Sequence, residues 1–273
     1  MARRPSGITI KSARELGLMF EAGQIVAHAQ AKMLEAVEPG IETRELDHIA
    51  ERTIRSLGAV PSFKGYNPGM SMPYAFPATI CASLNEQIVH GIPGKRQLKE
   101  GDILKVDVGA IYGGLHGDSA FSVGVGETSE EAQRLIDATR ESLNQGIARI
   151  RAGGRIGDIS NAIQSYAEGL GYEVVKKYVG HGIGFNMHEE PQVPNYGRPG
   201  RGARIRRGMA LAVEPMLNIG TSDTQVEADG WTVSTADGSL SAHFEDTIAI
   251  TEDGPVVTTR FGTNEAGNDL KGA

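Results

Sequence analysis

The sequence predicts a protein of the α/β (α+β) class, built from two fused halves of matching design. Three observations carry that prediction. The pattern Gly-x-x-Leu-x-Val-acid occurs twice, from Gly101 to Asp107 and from Gly208 to Glu214. Each copy is followed by His-x-acid, as His116-Gly117-Asp118 and His243-Phe244-Glu245. Two helical stretches precede each copy, so helix pair, strand and acid hairpin recur in the same order, as an internal repeat requires.

The first helix is expected from an N-cap at Ser12 to about Ala36, with Leu16, Phe20, Ile25, Ala29 and Leu34 as its apolar face. Pro39-Gly40 stops it. Thr43 is the expected cap of a second helix whose Leu46, Ile49, Ala50, Ile54 and Leu57 keep helical spacing up to Gly58. From Pro61 to Pro77 the chain is rich in Pro, Gly, Met and aromatics without a period, which reads as an irregular loop fit to line a pocket. Apolar runs at Thr79 to Leu84 and Ile103 to Val108 read as buried strands. Thr128-Ser-Glu-Glu131 is a capping-box signature for a helix running through Leu135, Leu143 and Ile147 toward Gly153-Gly154. Asp158 is the expected cap of a fourth helix ending near Gly171, and a last strand falls near Thr247 to Ile250. The expected organisation is one domain over 1–262, with halves of about 1–125 and 126–262. The Gly-, Asn- and Ala-rich tail, 263–273, is expected to be disordered.

The acids carry the chemistry. A carboxylate ending a buried strand, as Asp107 and Glu214 are expected to do, costs several kcal/mol, roughly, unless a cation meets it. Asp107, Asp118, Glu214 and Glu245 form two matched pairs, so the expected cation is metal. Two divalent ions would balance their four charges. His181, set among small residues in Gly180-His181-Gly-Ile-Gly184, offers the neutral imidazole that Zn, Fe, Co or Mn accept beside carboxylates. Paired ions of that kind lower the pKa of water to near about 7 and polarise a carbonyl, which points to hydrolysis of an amide or ester. No rival nucleophile is evident: Cys81 lies in an apolar strand and no Gly-x-Ser-x-Gly elbow occurs.

Composition narrows the setting. The chain has 273 residues, 40% hydrophobic and 22% charged, with a formal net charge of -7, which exerts no global pull toward nucleic acid or anionic membrane. With one cysteine, an internal disulfide and a thiolate zinc site are excluded, as suits a reducing cytoplasm. Met-Ala-Arg-Arg-Pro-Ser-Gly lacks the apolar core of a signal peptide, and no apolar run approaches the roughly 18 residues of a membrane span. Arg198, Arg201, Arg204, Arg206 and Arg207 sit in a Gly-rich loop that reads as a solvated loop or as an RNA-contacting patch, for example on the ribosome.

Together the motifs resemble the type I methionine aminopeptidases, across Ile8 to Phe261. The resemblance rests on Asn85-Glu-Gln-Ile-Val-His90-Gly-Ile-Pro93, Val106-Asp107-Val108, His116-Gly-Asp118, Gly180-His181-Gly-Ile-Gly184, His188-Glu-Glu-Pro191, Val213-Glu214-Pro215, Asp229-Gly-Trp231-Thr-Val233 and the Glu245 hairpin. It implies the pita-bread (creatinase/aminopeptidase) fold, a pseudo-twofold structure with two divalent ions between its halves, drawn from Co, Mn, Fe, Zn or Ni. Carried over by motif, Asp107 would bind one ion, Asp118 and Glu245 would bridge both, and His181 with Glu214 would complete the other shell. Glu214 would also accept the proton of the attacking water. His90 would meet the amide at the scissile bond and His188 the carbonyl or oxyanion. The methionine side chain would enter a pocket of Cys81, Met187, Trp231 and either Phe76 or Tyr74, although Cys81 fits core packing equally well.

The implied reaction is removal of the initiator methionine from nascent polypeptides with a small second residue, by a cytoplasmic monomer. Val89 stands where some relatives have cysteine, and Met187 where an aromatic is common. The 33 positions from His181 to Glu214 leave no room for the helical insertion of type II enzymes, and the short segment before Ile8 implies a minimal, bacterial-style form. A prolidase or aminopeptidase P is the nearest rival, and a noncatalytic scaffold that binds ribosome or RNA is a rival of another class.

Overall fold

The computed structural model describes residues 7–67 and 74–261, so the tail expected to be disordered lies outside the described residues. The first helix, α1 (Ala13–Leu34), starts at Ser12, whose hydroxyl accepts from Glu15 N while the Glu15 carboxylate accepts from Ser12 N, a complete capping box. Its buried face differs in part from the expected one: Leu16, Ile25 and Ala29 point inward with Met19, Ala22, Val26 and Met33, but Leu34, at the helix end, is exposed. The second helix, α2 (Thr43–Ser56), buries Leu46, Ala50 and Ile54 and ends where Gly58 takes φ +78.

Three expected caps are displaced. Glu42 rather than Thr43 precedes α2, because the Thr43 hydroxyl is engaged with Gly94, accepting from its N–H at 2.8 Å. Ser129 rather than Thr128 caps α3 (Glu130–Ile147), its hydroxyl accepting from Ala132 N at 3.1 Å. Arg155 occupies the cap of α4 (Ile156–Gly169), and Asp158 serves three residues on, accepting from Arg155 N at 2.9 Å.

The first half builds on β1 (Val60–Pro61), β2 (Ile80–Leu84), β3 (Gln87–Val89), β4 (Ile103–Tyr112) and β5 (Leu115–Gly124). β4 and β5 form a ten-residue antiparallel hairpin in which Asp107 faces Ala120 and Asp118 faces Gly109. Asp107 therefore sits in mid-strand, not at a strand end as the short apolar run suggested. On its other side β4 pairs with β2, Cys81 opposite Asp107. α1 lies on this hairpin with little separation, since a Cβ at Gly117 would stand 2.8 Å from Gly23 N of the helix. Gly117, between His116 and Asp118, thus serves packing.

The second half follows α3 and α4 with β6 (Glu173–Val174), β7 (Gly180–Gly182), β8 (Glu189–Val193), β9 (Ala210–Val213), β10 (Met216–Asn218), β11 (Thr224–Val226), β12 (Val233–Thr235), β13 (Ser241–His243), β14 (Asp246–Ile250) and β15 (Pro255–Val257). Its main sheet runs β15-β14-β9-β7-β8, with smaller sheets β13-β10-β6 and β11-β12-β3. β3, from the first half, pairs with β12, from the second. The two halves also join directly at Ala120 and Glu245, which exchange backbone hydrogen bonds of 3.2 and 2.9 Å. Ser119, Ser122 and Thr247 add side-chain bonds along that seam. One apolar cluster draws residues from all four helices and both main sheets. Among the described residues no helix is long and apolar enough to cross a membrane.

Candidate active site

The seam that joins the halves also gathers the acids. Ala120 opposite Glu245 sets Asp118 beside Glu245, and the β9 to β14 register, Val213 opposite Asp246, sets Glu214 next to Glu245. β7 pairs His181 with Ala212, two residues before Glu214. Gly180 makes that approach feasible, because a Cβ there would overlap the carbonyl of Ala212. Ligand atoms of Asp118, His181 and Glu245 all lie within 4.8 Å of one another, and all three residues are buried. Asp107 and Glu214 are half-buried in the same cavity.

The electrostatics are those of a site short of positive charge. Burial, with repulsion from neighbouring acids, pushes the carboxyls of Asp107, Glu214 and Glu245 well above their ordinary range, and burial raises Asp118 to about 7. Asp107 Oδ1, Asp118 Oδ1 and Glu245 Oε1 are buried with no hydrogen-bond donor. Buried carboxylate oxygens are normally satisfied, so three orphans turned into one cavity fit bound cations. His181 completes the donor set. Its Nδ1 lies 2.9 Å from the carbonyl of Gly182, which can only accept, so the proton is on Nδ1 and the Nε2 lone pair is free. Burial holds the ring pKa down at about 3, which keeps the imidazole neutral. Oxygen donors with one neutral nitrogen suit Mn, Fe, Co, Ni or Zn.

The cavity, about 490 Å³, has a second, apolar end. Phe63, Phe76, Cys81, Met187 and Trp231 form one buried cluster there, with Phe76 edge-on to Trp231 at 5.1 Å. Of the two alternatives for an aromatic wall, Phe76 faces the cavity, whereas Tyr74 is exposed and its hydroxyl donates to the carbonyl of Asp229 at 2.9 Å. Burial and nearby acids push the Cys81 thiol well up, so it serves as an inert small side chain.

His90 and His188 flank the junction of the two ends. His90 holds φ +61, a conformation that costs a non-glycine residue energy and that recurs at functional sites. Its ring is boxed edge-on between Tyr178 and Trp231 at 5.8 and 6.2 Å. The His188 ring lies 4.2 Å from that of His181, and its Nδ1 is 2.8 Å from the Tyr66 hydroxyl. Sequence reading missed Tyr66 and Tyr178 as cavity residues. For Tyr66 the signal was present, since it falls in the aperiodic Pro61 to Pro77 loop expected to line a pocket. Tyr178 follows two lysines in a polar stretch that carries no such signal.

Comparison with known proteins places this geometry. Residues 17–252 match the model of metallopeptidase family M24. The chain is 50% identical over 253 residues to methionine aminopeptidase 1 of Bacillus subtilis, covering 93% of this chain and 99% of that one. It superimposes on the methionine aminopeptidase of Thermotoga maritima with a TM-score of 0.89 at 44% identity, covering 93% and 99% of the two chains. The prolidase of Pyrococcus furiosus, at 20% identity and a TM-score of 0.73, covers 92% of this chain and 65% of that one, and shares the fold alone. The fold is the pita-bread fold that the resemblance implied, with the pseudo-twofold character that the repeat predicted. The chain belongs to metallopeptidase family M24, within its type I methionine aminopeptidases.

Proposed function

We propose that Asp107, Asp118, His181, Glu214 and Glu245 hold two divalent ions, and that Glu214 accepts a proton from the water that attacks the scissile bond. The chain is a metal-dependent hydrolase that removes the N-terminal methionine of polypeptides. What supports the ligand set is the group of buried, donor-less carboxylate oxygens beside a neutral His181, in one cavity with an apolar end. Divalent ions bound there lower the pKa of water and polarise the scissile carbonyl.

The chain's own groups supply the rest. Phe76, Cys81, Met187 and Trp231 receive the methionine side chain, whose flexible thioether packs well against aromatic rings. His90 faces the scissile amide. His188 directs Nε2–H at the developing oxyanion, while the Tyr66 hydroxyl donates to Nδ1 and so fixes the proton on Nε2. The preferred substrates carry a small second residue.

The acting unit is one domain over 1–262 with halves of about 1–125 and 126–262, working as a cytoplasmic monomer. Mn, Fe, Co, Ni and Zn all match the donor set, and cellular supply selects among them. Arg198, Arg201, Arg204, Arg206 and Arg207 are all exposed, on a loop that α4 anchors through Gly157 N to the carbonyl of Arg201 at 2.9 Å. They form a basic patch suited to transient ribosome contact. Neutralising these arginines should reduce salt-sensitive ribosome association; unchanged association would remove this contact from the account.

The activity itself is tested by offering Met-Ala-Ser and X-Pro peptides to the metal-loaded protein. Release of free methionine from the first, abolished by chelation, is expected. Cleavage confined to the bond before proline would replace this reading with a prolidase-like one.

A further inference from the structure

We propose that His243 is a positioning residue for Glu214, donating from Nε2 to the carboxylate that accepts the proton of the attacking water. The two His-x-acid motifs of the sequence part company here. In the first, His116 is tied to the scaffold, its Nδ1 3.0 Å from the Ser62 hydroxyl. In the second, His243 turns toward the cavity acids. β13 pairs with β10 in a register that puts His243 opposite Met216, just past Glu214. Ser122 grips its backbone from both sides: the hydroxyl accepts from His243 N at 2.9 Å and donates to the His243 carbonyl at 2.7 Å.

The backbone is thereby held, and the residue is 2% exposed with Nε2 lacking any hydrogen-bond partner. An unpartnered nitrogen at that depth carries a desolvation cost that a neighbouring acceptor would remove. The acceptor within reach is Glu214. Its Oε2 lies 3.9 Å from His243 Nε2, while its Oε1 lies 3.6 Å from His181 Nε2. Glu214 thus stands between two imidazoles, one for each oxygen. His181 belongs with Asp118 and Glu245 in the candidate ligand group found among the described residues, and His243 does not. That arrangement assigns His181 to the ion and His243 to the orientation of the carboxylate, the part that outer groups play around metal ligands.

The inference rests on the proposed role of Glu214, and the experiment separates the two. His243→Leu keeps the bulk and removes the donor, whereas His243→Gln places an amide nitrogen at similar reach. With Met-Ala-Ser as substrate, His243→Leu should lower kcat about ten- to a hundredfold at unchanged KM, and calorimetric titration with Mn should show a comparable loss of affinity. His243→Gln should recover both to within about threefold, a rescue that simple packing would not give. An inactive Glu214→Gln enzyme beside a fully active His243→Leu enzyme would overturn the role of His243 alone. A fully active Glu214→Gln enzyme would overturn the premise. If His243→Leu does not fold, nitrogen-15 histidine NMR of the wild-type, metal-loaded protein decides: a slowly exchanging proton on Nε2 is expected, and a proton on Nδ1 with a bare Nε2 contradicts the proposal.

Discussion

Glu189 and Glu245 are both buried acids of the second half, and their surroundings are opposite. Lys11 Nζ lies 2.8 Å from Glu189 Oε2, with both side chains 1% exposed. The Thr9 hydroxyl donates to the same oxygen, and Asn186 N donates to Oε1 at 3.0 Å. Burial alone would push Glu189 up, but these hydrogen bonds outweigh it and hold the carboxyl below its usual value. Glu245 has one oxygen with no donor at all, four acids around it, and a carboxyl pushed far up by burial and repulsion. Even its neighbour in sequence is satisfied, since Asp246 takes Arg260 Nη2 at 2.7 Å and the Thr259 hydroxyl at 2.8 Å. A structural acid is completed from within the chain, whereas the cavity acid Glu245 keeps an oxygen that no group of the chain completes.

The contrast is broken most severely at the cavity. Asp118→Asn should lower kcat/KM for Met-Ala-Ser by at least about 10⁴-fold, because metal activation of water is worth several kcal/mol and each 1.4 kcal/mol is tenfold. At the internally completed acid, the same logic predicts a loss of stability. Lys11→Met should destabilise the protein by about 3–4 kcal/mol in urea unfolding, by leaving a buried carboxylate unpaired, and Lys11→Met with Glu189→Met should recover most of it. An additive double variant would show that the pair is not coupled.

Tyr66→Phe acts on geometry alone. It should cost about tenfold in kcat with KM nearly constant, by releasing the His188 tautomer from its hydroxyl partner. The smallest expected effect is on pH dependence. The folded pKa of Glu189 lies below its unfolded value of about 4.3, so its contribution to stability is complete above that pH and is lost as pH falls through the folded value. In Lys11→Met the carboxyl rises instead, and stability should decline as pH climbs past about 4.3. Urea midpoints measured from pH 3.5 to about 6 would reveal the reversal of slope.

Much of the fold was legible because periodicity is local: all four helices were expected, and the glycines at Gly58 and Gly171 marked two of their ends. The displaced caps were not legible, since what takes the Thr43 hydroxyl is Gly94, a contact across 51 residues of sequence. The four acids were visible as repeated motifs and His181 as a histidine among glycines, and the structure brings all five to one cavity. The partner of Glu189 was invisible, because Lys11 lies 178 positions away in a segment with no motif of its own. His243 was read only as half of a repeat. Which of two motif histidines comes near a cavity acid depends on strand register across the seam, and no spacing within either motif encodes that.

If the cavity acids and His181 together hold the ions that drive hydrolysis, the metal must lie among them in the active protein. Anomalous diffraction from crystals of active protein loaded with Mn tests it most directly. The expected result is anomalous density in contact with Asp107, Asp118, His181, Glu214 and Glu245. Ions bound elsewhere in a fully active enzyme, with these oxygens still unligated, would contradict it.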